Sequence, residues 1–92
     1  QEKKIEQRLV KEVKCAGGKC WKFVSPGTDG VPDRIVLLYK GKVGFVEVKQ
    51  KGKKLRPIQE KRKKELELLG FKVFVLDDKE DIGGVIDEIQ SI

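Results

Sequence analysis

The chain has 92 residues, 39% of them charged and 38% hydrophobic, with a formal net charge of +6. A chain this short holds one core, so residues 1–92 are expected to form a single domain. The composition is too apolar for a disordered chain and too polar for a membrane protein; no apolar run approaches the ~20 residues that span a bilayer, and the opening residues do not read as a signal peptide.

Residues 2–14 read as an amphipathic helix, because Ile5, Leu9 and Val13 recur every four positions with Val10 beside them. Gly17-Gly18 stops it. Residues 19–24 suit a short strand, with Trp21 and Phe23 two apart and therefore on one face. Residues 25–30 form a loop rich in turn formers. Residues 32–39 and 43–49 are strands rich in Val, Ile and Leu, and Lys40-Gly41-Lys42 is the expected hairpin between them. After a basic linker, Pro57 opens a helix that runs to about Leu69 and ends at Gly70. Its expected inner stripe is Ile58, Leu66 and Leu69, with Arg62 on the same line. Residues 71–76 are almost continuously apolar and predict a central strand. Residues 81–92 predict a last helix with Ile82, Val85, Ile86 and Ile89 facing inward. The order is α-β-β-β-α-β-α, an α/β fold in which one mixed sheet is flanked by helices.

Charge is unevenly spread. Residues 49–64 carry nine Lys or Arg and one Glu, whereas residues 77–88 carry six acids and one Lys. So concentrated a positive stretch suits a polyanion such as DNA, although a solvated helix face would look similar. Cys15 and Cys20, with no His in the chain, cannot complete a four-ligand zinc site. Two cysteines are also few for a disulfide framework, which predicts reduced thiols and a cytoplasmic setting. The sequence begins at Gln1 and has no Met, so its natural start is expected to lie upstream.

Alternation puts Val43, Phe45, Glu47 and Lys49 on one face of their strand, and Asp33, Ile35, Leu37 and Tyr39 on one face of the preceding one. A hairpin centred on Gly41 sets Asp33 opposite Lys49; a shift of two sets it opposite Glu47. Either register keeps the three groups within about 4.5–8 Å of one another. Two carboxylates suit a hard divalent cation, Mg²⁺ or alternatively Mn²⁺, with Asp33 and Glu47 as ligands and the Val48 carbonyl as a possible third. A cation there would polarise a phosphate. Lys49 could orient or deprotonate water, or stabilise developing charge. The plainer alternative is a cross-strand salt bridge. No P-loop is present, no Ser-His-Asp arrangement can form, and no organic cofactor is expected.

The run Gly30-Val31-Pro32-Asp33-Arg34, then Val46-Glu47-Val48-Lys49, then Gln59, resembles the VRR-NUC (virus-type replication–repair nuclease) family of the PD-(D/E)xK nuclease superfamily. The similarity covers most of the chain, including Leu69 to Val73. It implies a restriction-endonuclease-like αβββαβ(α) core and Mg²⁺-dependent DNA cleavage. Asp33 and Glu47 would be metal ligands, Lys49 the catalytic lysine, and Gln59 a supporting group. Glu6 would match the acidic residue such nucleases often place beside the metal, unless it is a plain surface Glu. Asp29 is a further acid nearby, although a turn role suits it better. Lys51, Lys53, Lys54, Arg56, Lys61, Lys63 and Lys64 would then neutralise backbone phosphates. Nothing resembles a base-reading device, so structure-selective or non-specific cutting is expected. Cutting both strands of a branched DNA would need a homodimer. The family's viral character implies phage replication or repair in the host cytoplasm. The alternatives are a non-catalytic nucleic-acid-binding module that uses residues 49–64, and a purely structural subunit.

Overall fold

The computed structural model describes residues 1–92. Helix α1 (Glu2–Cys15) leads into strand β1 (Lys19–Lys22), followed by β2 (Arg34–Leu38) and β3 (Lys42–Val48). Helix α2 (Pro57–Leu68) crosses to β4 (Lys72–Leu76), and α3 (Ile82–Gln90) closes the chain after a short 3₁₀ turn. The four strands form one sheet in the order β1-β2-β3-β4, antiparallel except for the parallel β3–β4 pair. This is the predicted mixed-sheet α/β fold.

The main core lies between one sheet face and helices α1 and α3. Ile5, Leu9 and Val13 of α1 and Ile82, Val85, Ile86 and Ile89 of α3 are all buried. They join Val36, Leu38, Val46, Val48 and Leu76 in a single apolar cluster. Gly44 lets α3 lie directly on β3, since a Cβ there would come within 2.6 Å of the Ile89 side chain. On the opposite face, Phe23, Phe45 and Phe71 make an aromatic row with centroid spacings of 5.4 and 5.7 Å.

Three expectations need correction. The hairpin turn is Tyr39–Gly41, one residue earlier than expected, with both Lys40 and Gly41 at positive φ. Arg34 consequently pairs with Val46, and the ladder continued by one residue sets Asp33 across from Glu47, which is the second of the two registers. Strand β4 is an edge strand rather than a central one, and Val75 remains 41% exposed. Its apolar run reflects residues that meet the core alternately with residues that do not, which hydropathy alone cannot separate. Leu69 caps α2 and is 74% exposed, so it does not belong to the helix's inner stripe. Gln59 is the one fully buried residue of that helix.

Gly30 explains part of the run that precedes Asp33. Its φ is +81°, and a Cβ would lie 2.8 Å from the Ile58 carbonyl oxygen. The loop therefore rests on backbone of the first turn of α2, next to Gln59. Gly30→Ala would combine left-handed strain with a clash against main chain. It is expected to cost about 2 kcal/mol or more, read as a lower urea midpoint at unchanged m-value.

Candidate active site

Asp33 immediately precedes β2, Glu47 lies near the end of β3, and Lys49 follows that strand. All three meet at one end of the sheet. The Val48 N–H donates to Asp33 Oδ2 at 2.9 Å, and the Phe23 N–H donates to the Asp33 carbonyl at 2.8 Å. The Asp33 carboxylate is thereby fixed over the β2–β3 junction. Lys49 is tied to the neighbouring strand through its own N–H, which donates to the Leu76 carbonyl. Its ammonium lies 4.0 Å from Glu47 Oε2 and is largely shielded from solvent.

Glu47 is only 5% exposed. Gln59 Nε2 donates to its Oε2 at 2.8 Å, while Gln59 Oε1 accepts from the Arg56 N–H at 2.9 Å. One amide thus caps the start of α2 and holds the buried carboxylate in place. The other oxygen, Glu47 Oε1, is buried with no hydrogen-bond partner. A buried carboxylate oxygen left unpaired is costly and calls for a ligand. Burial pushes the Glu47 carboxyl up to about 7, and the nearby Asp33 charge adds to the shift against the opposing pull of Lys49. Burial also raises Asp33, offset in part by the hydrogen bond from Val48, with Glu6 and Glu2 pushing in the same direction as burial. Two carboxylates that resist ionisation beside each other suit an incoming cation.

No group of three or more acidic, His or Cys side chains closes on a single point. The carboxylates that could face a cation here are Asp33 and Glu47, a pair that would suit the Mg²⁺ habit of few carboxylates and several retained waters. Glu6 is close enough to influence Asp33, but its Oε2 accepts from Arg34 Nε at 2.7 Å. Arg34 also donates to the Cys20 carbonyl, locking α1 to the first two strands. Sequence reasoning missed Arg34 and Glu2. Glu2 acts on both carboxylates and lies one turn before Glu6, so the i, i+4 spacing of acids on α1 was the available signal. Asp29 is an exposed loop residue.

The basic segment lies on the crossover between β3 and β4. Lys51 pairs with Asp78, and Lys63 pairs with Glu67 at 3.1 Å. Lys53, Lys54, Arg56, Lys61 and Lys64 are exposed and make no ion pair. Cys15 and Cys20 are both free.

A mixed sheet that gathers Asp, Glu and Lys at one end, with a buried Gln behind the Glu, is the architecture of a PD-(D/E)xK-type nuclease. A solved structure of a VRR_NUC domain superimposes with a TM-score of 0.88 at 28% identity, covering 94% of each chain. The phage protein "Putative nuclease p44" of Acyrthosiphon pisum secondary endosymbiont phage 1 is 45% identical over 89 residues, spanning 97% of this chain and 95% of that protein. No protein-family model matches. The chain belongs to the VRR-NUC family of nucleases.

Proposed function

We propose that residues 1–92 form one catalytic domain, a metal-dependent DNA endonuclease that selects its substrate by structure. The observation that carries this reading is the buried Glu47 with its unpaired oxygen, set beside Asp33 and Lys49. Asp33, Glu47 and the Val48 carbonyl would hold Mg²⁺, or Mn²⁺ in its place, with Glu6 joining if it leaves Arg34. A cation bound there supplies Lewis-acid polarisation of the scissile phosphate. Gln59 keeps Glu47 in one rotamer. Lys49 orients the attacking water and offsets the charge that develops as the phosphorus–oxygen bond to the leaving group breaks.

The free cations of residues 53–64 would hold the phosphate backbone. Lys53→Ala and Lys54→Ala together are expected to weaken DNA binding and to reduce the slope of log affinity against log salt by about 0.9 for each phosphate no longer neutralised. Lys51→Ala should do less, because its ammonium already pairs with Asp78. Fluorescence anisotropy over a salt series measures both.

A homodimer would bring two such sites to a four-way or otherwise branched DNA. No helix is long and apolar enough to cross a membrane, and the phage relative favours action in the host cytoplasm during replication or repair. The test is incubation with labelled linear, flap and four-way DNA, in Mg²⁺, Mn²⁺ or EDTA, followed by a denaturing gel. Nicked products are expected with metal and none with EDTA. Binding without cleavage in either metal would replace this reading with a non-catalytic binding module.

A further inference from the structure

Trp21 is the chain's single tryptophan and is 56% exposed on an edge strand. A large aromatic left this open needs an explanation, because tryptophan is usually well buried. Trp21 pairs with Ile35, Ile35 pairs with Phe45, and antiparallel partners point to the same side of the sheet. Trp21 therefore shares a face with Asp33 and Glu47, two residues along from the ladder position that joins Phe23 to Asp33. At ~3.4 Å per residue that offset is about 7 Å along the strand. Phe23, two residues further along the chain on the same face, is packed on Phe45. Helix α1 covers the opposite face of β1, while α2 packs over β4 at the far side of the sheet. Lys19, two residues before Trp21 and on the same face, is exposed.

We infer that Trp21 is a stacking platform for an unpaired nucleobase of the DNA strand whose phosphate occupies the Asp33–Glu47–Lys49 site. The inference rests on the nuclease reading and specifies its substrate class: DNA with an unstacked base close to the cut. An exposed indole with Lys19 beside it suits a base attached to a phosphate backbone. A second copy of this chain suits it less, since two like-charged surfaces, each carrying Lys19 beside the indole, would face each other. Bases inside a duplex are already stacked and present no free face, so the platform discriminates by strand structure and tolerates any sequence.

The lone tryptophan makes the test direct. The full chain is titrated in EDTA with a thymidine oligonucleotide and with a blunt duplex, following indole emission and, separately, anisotropy of labelled DNA. Quenching is expected with the single strand and little with the duplex. Trp21→Ala should weaken single-strand binding by about tenfold while leaving duplex binding unchanged, and Trp21→Phe should recover part of the loss where Trp21→Leu does not. Undiminished emission at saturating single strand, or equal loss on both DNAs, overturns the inference. So does emission that changes with protein concentration in the absence of DNA, which would assign this face to self-association. Cleavage assayed in parallel with Mg²⁺ separates the two readings: cutting without quenching removes the platform alone, and quenching without cutting removes the nuclease.

Discussion

Replacing Glu47 with Ala or Gln is expected to lower the rate of phosphodiester cleavage by on the order of 10³-fold, while DNA affinity changes little. The expectation follows from position. Glu47 presents an unpaired buried oxygen next to Asp33, and the cationic side chains assigned to backbone binding lie on the separate crossover segment. On the proposed reading, removing the carboxylate deletes one of the two acidic ligands without touching those cations. Glu47→Gln is the cleaner variant, because its amide carbonyl can still accept from Gln59. Rate measurements under single-turnover conditions, with binding measured by anisotropy, separate the two effects. Cleavage that survives either substitution would remove Glu47 from the chemistry.

The same residue makes the metal-free fold sensitive to pH. Its carboxyl ionises near 4.5 when unfolded and at about 7 when folded. Between those values the folded protein holds more protons than the unfolded chain, so stability falls as pH rises through that window and levels off above it. The span corresponds to about 3 kcal/mol, with Asp33 contributing in the same direction. Wild-type protein in EDTA should therefore lose stability between pH 5 and pH 8, whereas Glu47→Gln should lose markedly less. At pH 8 the inactive variant should be the more stable protein, a direct exchange of stability for activity. Adding Mg²⁺ at pH 8 should restore the wild type and leave the variant unchanged. Urea midpoints at the two pH values provide the check. Parallel pH profiles for the two proteins would show that Glu47 carries no such strain.

Much of this was legible in the sequence because it depends on periodicity. The four-residue spacing of Ile5, Leu9 and Val13, and the Ile82-Val85-Ile86-Ile89 stripe, mark the two core helices directly. Alternation alone put Glu47 and Lys49 on one face. The hairpin was harder. Gly41 marks the turn centre in the sequence, but Lys40 also takes a left-handed conformation and shifts the turn by one residue. A one-residue shift of the turn changes the pairing sum by two, which decides whether Asp33 faces Glu47 or Lys49. The interactions least visible in sequence were long-range polar ones. The Arg34–Glu6 pair spans α1 and β2, and the double role of Gln59 depends on where α2 lands over Glu47. Neither leaves a local pattern. Trp21 was visible as a strand residue, but its exposure depends on which part of the sheet the crossover helix leaves bare.

The parallel pairing of β3 with β4 has a consequence for how the protein can vary. Parallel neighbours cannot be joined by a tight turn, and here the necessary bridge is the lysine-rich stretch itself. The proposed grip on a polyanion is thus built into the architecture rather than appended as a tail. Trimming that stretch would unseat an edge strand, and loosening it would release the amide that steadies Glu47. On that reading, descendants of this chain would retune the grip by exchanging side chains far more readily than by changing length.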